Sequence, residues 1–244
     1  MKQEKRSTQM KKDGTSSVDQ KERTVCLYIA TKINSGFMGR GFPPPLYHTL
    51  IGYGMIFFVE RKGGASSPDC LVISSHCNFN SEKDILYLFE REIKNNKATR
   101  VVSHATNYFV RPVLKSAAFR TGVSTFALDL PWSGVGESWF EYSGVSMTDI
   151  ALPIGLGQRT TIDFEKAVAS GNFNDIQDQL LLDTFLIFCA WARQQLASGK
   201  MEVSRCNALL LEAKKKVRYA VRDRRLNRYT SWKQINKELF LLEE

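Results

Sequence analysis

The chain lacks several features that would assign it to a common class of protein. Its 244 residues contain no apolar run long enough to span a membrane. The opening segment, MKQEKRSTQMKKDGTSS, is polar throughout and has no signal-peptide core. The five cysteines form no C-x-x-C pair and the three histidines are far apart, so neither a disulfide framework nor a zinc site is indicated. We therefore expect an intracellular, cytoplasmic protein with no membrane partner.

Motifs of two further enzyme classes are also missing. No G-x-S-x-G elbow occurs, which argues against a nucleophilic hydrolase, and Ser133-Gly134 and Ser143-Gly144 are typical of turns. The Gly155-Leu156-Gly157 stretch is too short for a phosphate-binding loop.

Positive charge, in contrast, is in excess. Lys and Arg number 34 against 25 Asp and Glu, so the formal net charge is +9. This balance indicates an acidic partner, most simply nucleic acid, although solubility alone is the alternative explanation. Composition divides the chain into a polar, disordered arm (1–22), a globular domain (23–201) and a basic helical tail (202–244).

Hydrophobic patterning predicts strands first and helices later. Strands are expected over residues 24–33, 47–60 and 70–76, with a hairpin turn over 62–69. The remaining predicted elements are a helix opening at Ser81, a strand over 99–103, helices over 112–119 and 161–169, an irregular stretch over 125–144 and a short element over 147–152. This order predicts an α/β fold, with a mixed sheet flanked by helices.

A long helix is predicted over residues 171–199, and it contains one acid within its apolar run, Asp183. A carboxylate in that position needs a metal, a cation or a hydrogen-bond donor, because burying it without a partner is costly. The alternative is that Asp183 lies at the edge of the apolar face and reaches water.

The tail pattern predicts a basic amphipathic helix. Its cations, which are the candidate nucleic-acid-binding residues, are Lys214, Lys215, Lys216, Arg218, Arg222, Arg224, Arg225 and Arg228. Its apolar stripe is Leu209, Leu210, Ala213, Val217, Ala220, Val221 and Leu226. Tyr219, Tyr229 and Trp232 lie among the cations and are able to stack on bases. The alternatives are a protein or membrane surface, and a solvated helix face packed on the domain.

The order of these landmarks resembles the PolB-like 3′–5′ exonucleases of the RNase H-like, DnaQ-type superfamily, from about residue 24 to residue 201. Matching segments are YIAT (28–31) for the family's D-I-E-T, PPLYH (44–48) for its P-P-x-x-H loop, SEK (81–83) for its Ser-Glu-Lys helix start, residues 102–114 for its V-S-x-N-G-R-G-F-D-x-P-V-L loop, MTDI (147–150) for its H-x-D-L segment, and residues 170–183 for its A-G-x-x-x-x-I-x-x-Y-C-x-x-D helix. The resemblance implies an RNase H-like mixed sheet flanked by helices, here with a basic helical extension at the C-terminal end.

The resemblance also implies a chemistry that this chain does not carry. Members of the family hold two divalent cations, Mg²⁺ or Mn²⁺, with four acids, and a Tyr four residues before the last acid positions the water. The four acid positions here are Tyr28, Ala30, Val110 and Asp183, and Gln179 replaces the tyrosine. No Asp or Glu occurs over residues 24–35 or 101–125. We therefore expect a degenerate site with no catalytic residue and no cofactor, in which Asp183 is paired with Lys32 or a backbone N–H.

Three functions remain open. The first is an inactive exonuclease-like domain that binds DNA or RNA, single strands included, or that scaffolds a larger protein complex. The second is an active metal-dependent 3′–5′ exonuclease that keeps Asp183 as a metal ligand and recruits relocated acids from among Glu60, Asp129, Glu137, Glu141 and Asp149. The third is a protein-interaction subunit without nucleic-acid binding, anchored by Trp132, Trp139 and Trp232.

Overall fold

A computed structural model describes residues 22–34, 39–60, 71–78, 80–135, 162 and 164–220. Within these ranges the strands are β1 (Glu22–Ile33), β2 (His48–Glu60), β3 (Val72–Cys77), β4 (Arg100–Ser103) and β5 (Trp132–Gly134). The α-helices are α1 (Glu82–Asn95), α2 (Arg111–Thr121), α3 (Phe164–Ala169), α4 (Phe173–Ala197) and α5 (Val203–Ala220). Short turns of 3₁₀ helix cover Pro45–Tyr47 and Phe126–Asp129, and a π-helical turn covers Thr106–Val110.

The elements predicted from hydrophobic patterning are confirmed over these ranges. The first four strands and the helices now labelled α1, α2, α3 and α4 all form, with ends that differ by a few residues from the prediction. Strand β5 lies in the stretch expected to be irregular, and its three residues are too few to show alternation. The predicted hairpin turn over 62–69 and the element over 147–152 lie outside the described residues.

The five described strands form one mixed sheet in the order β3-β2-β1-β4-β5. Strand β2 runs antiparallel to both β1 and β3, whereas β4 runs parallel to β1 and β5 runs parallel to β4. Parallel neighbours need a crossover connection, and α1 and α2 lie in the segments that precede β4 and β5. The architecture is therefore α/β.

Alternation along β1 separates two apolar layers. Val25, Leu27 and Ile29 pack with α1 and α2, and the intervening Cys26 and Tyr28 pack with α4. Helix α4 is buried around most of its circumference because the sheet covers one side and α5 the other. The buried residues of α5, which belong to the same cluster as those of α4, are Cys206, Leu209, Leu210, Ala213 and Val217.

The approach of α4 to the sheet is set by glycine on β2. A Cβ atom added at Gly54 would lie 2.5 Å from the Thr184 hydroxyl oxygen and 2.6 Å from the Leu180 carbonyl oxygen. The helix backbone therefore rests directly on the strand at this point. Two residues further along, the register of the two strands shifts. Ala30 pairs with Gly52, whereas Thr31 pairs with Leu50, so β2 has one extra residue there.

Candidate functional site

The first strand and the long helix meet on the α4 side of the sheet. Ala30, which stands at a family acid position, is 4% exposed and packs in an apolar cluster with Ile51, Ile176 and Leu180. Tyr28 contacts both this cluster and the larger one around α4. Tyr28 and Ala30 are thus part of the packing between β1 and α4.

Asp183 is 1% exposed, which rules out the alternative that it reaches water at the edge of the apolar face. Its carboxylate Oδ1 accepts a hydrogen bond of 3.0 Å from the amide Nε2 of Gln179, one helical turn earlier and also buried. The next residue, Thr184, contacts β2 at Gly54, which pairs with Tyr28. Asp183 therefore lies on α4 at the level of Tyr28, and the Gln179 amide supplies a hydrogen-bond donor to its buried carboxyl group.

Val110 lies on the other side of the sheet. It ends the π-helical turn, precedes α2, and packs in the cluster that contains Val113, Leu114 and Ile29. The fold therefore places Tyr28, Ala30, Gln179 and Asp183 on the α4 side and Val110 in the layer of α1 and α2.

The side chains at these positions do not fit a two-metal centre. Paired Mg²⁺ or Mn²⁺ ions require several carboxylate oxygens. Among Tyr28, Ala30, Val110, Gln179 and Asp183, only Asp183 has a carboxylate. Over the part of the chain that the structure describes, no group of three or more His, Cys, Asp or Glu side chains could hold a metal ion. That the protein takes no metal cofactor stays a prediction.

Two of the acids considered for relocation have described positions. Glu60 ends β2 and pairs with Glu22, eight residues before Ala30 on β1, a separation of about 26 Å at ~3.3 Å per residue. Asp129 is exposed at the end of the Phe126–Asp129 turn. Glu137, Glu141 and Asp149 lie outside the described residues.

The basic tail is helical through Ala220, and its cations differ in their surroundings. Lys215 and Arg218 are exposed, whereas the ammonium of Lys216 donates to the carbonyl of Leu71, which directly precedes β3. Burial lowers the pKa of Lys214, and the nearby charge of Arg218 lowers it further. Of the predicted apolar stripe, Ala220 is exposed, and Val221 and Leu226 lie outside the described residues.

The aromatic residues predicted to contact a ligand also differ in their surroundings. Tyr219 is exposed on α5. The indole Nε1 of Trp132 donates to the carbonyl of Ala127 at 2.9 Å, which ties this half-buried side chain into the fold. The predicted residues outside the described part of the chain are Arg222, Arg224, Arg225, Arg228, Tyr229, Trp232 and Trp139.

A polar cluster that the sequence did not indicate joins β3 to α1. The carboxylate of Glu92 lies 2.7 Å from Nε2 of His76 and accepts a hydrogen bond from the Ser74 hydroxyl. Burial raises the pKa of Glu92, but the bonds from His76 and Ser74 outweigh it, so the net pKa is lowered. Burial and the charge of Glu92 raise the pKa of Tyr53. Because His76 and Ser74 both bind Glu92, the arrangement ties strand to helix and forms no Ser–His relay.

His48, the histidine of the P-P-x-x-H loop, is held at both ring nitrogens. Nε2 lies 3.0 Å from the carbonyl of Pro43 and Nδ1 lies 2.8 Å from the hydroxyl of Thr31. A carbonyl only accepts, so Nε2 carries the proton and Nδ1 accepts from Thr31. Burial lowers the pKa of His48, although the bond to Pro43 opposes the shift, and the neutral ring matches this pattern.

A bidentate ion pair between Arg120 of α2 and Glu82 of α1 lies beside the same loop. Nη2 of Arg120 lies 2.7 Å from Oε1 of Glu82, and Nε lies 3.0 Å from Oε2. Arg120 also donates to the carbonyls of Leu46 and His48, at 3.1 and 2.8 Å, and Glu82 accepts from the backbone N–H of Leu50. Two segments of the family resemblance, PPLYH and SEK, are therefore connected in space.

Comparison with known proteins bears on the fold. No protein-family model matches the chain, and no curated protein sequence matches it significantly. Among solved structures, the chain is similar to the family B DNA polymerase from the hyperthermophilic archaeon Pyrobaculum calidifontis, with a TM-score of 0.51 and 14% identity. The similarity covers 79% of this chain and 29% of that polymerase, so the chain spans less than a third of its length. The mixed five-stranded sheet with flanking helices is compatible with an RNase H-like fold. None of the described helices is long and apolar enough to cross a membrane.

Proposed function

We propose that this chain is a catalytically inactive, DnaQ-type exonuclease-like domain that binds nucleic acid without cleaving it. The observation that carries the proposal is the packing of Ala30. At a position where the resembled family has a metal-binding acid, a methyl group lies in an apolar cluster beneath α4. Asp183 is the acid that remains, and its carboxylate accepts from the amide of Gln179.

The chemistry supports binding without hydrolysis. Cleavage in such enzymes depends on two cations that bind the scissile phosphate and activate a water, and those cations depend on clustered carboxylates. Without that cluster, the domain also lacks negative charge that would repel a phosphate chain. The net charge of +9 then favours a polyanion.

The nature of the structural neighbour supports nucleic acid as the partner class. The similar structure from Pyrobaculum calidifontis is by its name a DNA polymerase, a protein that acts on nucleic acid. A similar fold in this chain is therefore compatible with nucleic-acid binding. A role as a scaffolding subunit of a larger complex is compatible with binding and is an extension of the same proposal.

Binding and cleavage can be measured on one set of labelled oligonucleotides. We expect the chain to bind single-stranded DNA or RNA, with an affinity that falls steeply as salt is raised, because phosphate contacts release counterions. We expect the labelled 3′ end to stay intact with Mg²⁺ or Mn²⁺. Degradation that disappears in Asp183→Asn would overturn the claim of inactivity. Absence of binding at low salt would overturn the nucleic-acid claim and favour a protein-interaction role.

A further inference from the structure

Three aromatic rings form a layered surface beyond the C-terminal end of β1, and we refer to Phe42, His48 and Phe109 as the ring platform. The Phe42 and His48 centroids are 5.3 Å apart, and the Phe42 and Phe109 centroids are 5.5 Å apart. His48 and Phe109 meet edge to face at 4.9 Å, with an interplanar angle of 89°. Each ring therefore touches the other two.

Within the ring platform, His48 is buried and Phe42 is exposed. His48 is buried and bonded at both nitrogens, so its ring has a fixed orientation. The Pro45–Tyr47 turn that leads into it packs against α2 and the Thr106–Val110 turn. Phe42, in contrast, is 75% exposed although it contacts both other rings. The Phe42 ring thus contacts two other rings and still presents most of its surface to solvent.

The two chain segments that supply the rings contain cations and no carboxylates. No Asp or Glu occurs over residues 23–59 or 93–128, the two segments that supply the three rings. Exposed cations in these segments include Lys32, Arg40 and Lys115. The nearby acid, Glu82, is paired with Arg120 and accepts from backbone. The charge of this surface is therefore complementary to a polyanion.

We propose that the ring platform is a stacking site for one base of a single-stranded nucleic acid, with the flanking cations contacting its phosphates. This inference rests on the proposed function, and it adds where the strand binds and by which contact. A base offers a flat π-face to Phe42 while its phosphates offer negative charge, so one ligand uses both features of the surface. Stacking of this kind tolerates any base.

The test separates stacking from charge by using two polymers of equal length, oligo-dT and an abasic oligonucleotide. Base–aromatic stacking is worth about 1–3 kcal/mol, so Phe42→Ala should weaken oligo-dT binding about 5- to 150-fold. The same substitution should leave abasic binding almost unchanged. Phe42→Trp should retain affinity, and a fluorescence difference from wild type should show the added indole quenched by oligo-dT but not by the abasic polymer.

Phe119→Ala is the matched control, because Phe119 is 91% exposed on α2 and has no described ring contact. It should leave both affinities unchanged. If Phe42→Ala binds oligo-dT as wild type does, or loses the same factor on both polymers, the stacking site is wrong and the proposed function stands. If the wild-type chain binds neither polymer at low salt, the proposed function fails and this inference fails with it.

Discussion

The last third of β1 borders two regions with opposite character. On the α4 side, Ala30 is sealed in an apolar cluster and Gly54 lets the helix backbone rest on the sheet. At the strand's end, Lys32 and Ile33 are exposed, and the ring platform opens to solvent. Ala30 in the packed interior and Lys32 on the accessible surface are therefore only two residues apart on β1.

The difference shows where ligand chemistry is available in this fold. The region around Ala30 is filled with apolar side chains, and the buried Asp183 of α4 accepts a hydrogen bond from an amide. The end of the strand is ordered by His48 and Arg120 yet leaves Phe42 uncovered. We infer that the packed region contributes to stability and that the exposed region is suited to binding a ligand.

The largest effect is expected from Ala30→Asp. A carboxylate buried in this apolar cluster without a partner should lower the free energy of unfolding by about 3–5 kcal/mol. Ile33→Asp, on the same strand but 44% exposed, is the matched control and should cost far less. Denaturant unfolding of both variants measures the difference. Equal losses would mean that the two regions do not differ in solvent access.

Gly54→Ala tests the close approach of α4. The added Cβ would meet Thr184 and the Leu180 backbone below 3 Å, so the helix must move. We expect a loss of about 1–3 kcal/mol, as for other overpacked cores. Ser75→Ala, on the residue of β3 that pairs with Gly54, adds no atom and serves as control. A Gly54→Ala midpoint equal to that of wild type would show that the helix has room there.

Low pH should lower the free energy of unfolding through protonation of His48. Its pKa is lowered in the folded protein, so between that value and the unfolded value of about 6.5 the unfolded chain binds more protons. Stability from the neutral ring is therefore fully present above pH 6.5 and is lost as pH falls through the folded pKa. Unfolding measured across this range should show a smaller pH dependence in His48→Gln. An identical pH profile in both proteins would contradict the neutral, doubly bonded ring.

The smallest effects are expected from exposed cations. Lys32→Ala with Arg40→Ala on the open surface, or Lys215→Ala with Arg218→Ala on α5, should each reduce the salt dependence of oligonucleotide binding by roughly one unit of slope per phosphate contact removed. Lys216→Ala is a useful contrast, because its ammonium is bonded to Leu71 and its removal should affect stability more. Unchanged slopes in both double variants would place the phosphate contacts elsewhere.

Most elements were predictable because their signals are local. The continuous apolar, β-branched run of β1 and the apolar spacing of α4 are properties of neighbouring residues, so both elements and their approximate ends follow from the sequence. The absence of Asp and Glu from residues 24–35, the segment that contains Ala30, was likewise visible without coordinates. Strand β5 was not predictable, because three residues show no period and its pairing with β4 decides its conformation.

The contacts that organise the candidate sites were not predictable, since their partners are distant in sequence. Glu92 and Ser74 are 18 residues apart, and Arg120 and Glu82 are 38 apart. The spacing of Ser74 and His76 places them on one strand face, which was a usable signal, but nothing local identifies the helix residue they meet. The position of Val110 on the side of the sheet opposite α4 was also not predictable, because it depends on how the turn before α2 packs on the sheet.

By itself, then, the sequence determined the order of most strands and helices, the absence of carboxylates over residues 24–35 and 101–125, and the presence of Asp183 within the apolar run of the long helix. The tertiary structure decided that Asp183 is buried against Gln179, that α4 is covered on both sides, and that Phe42 stays open over a fixed histidine. The reason is that residue type and periodicity are properties of neighbours along the chain. Burial, by contrast, depends on which distant segments pack together.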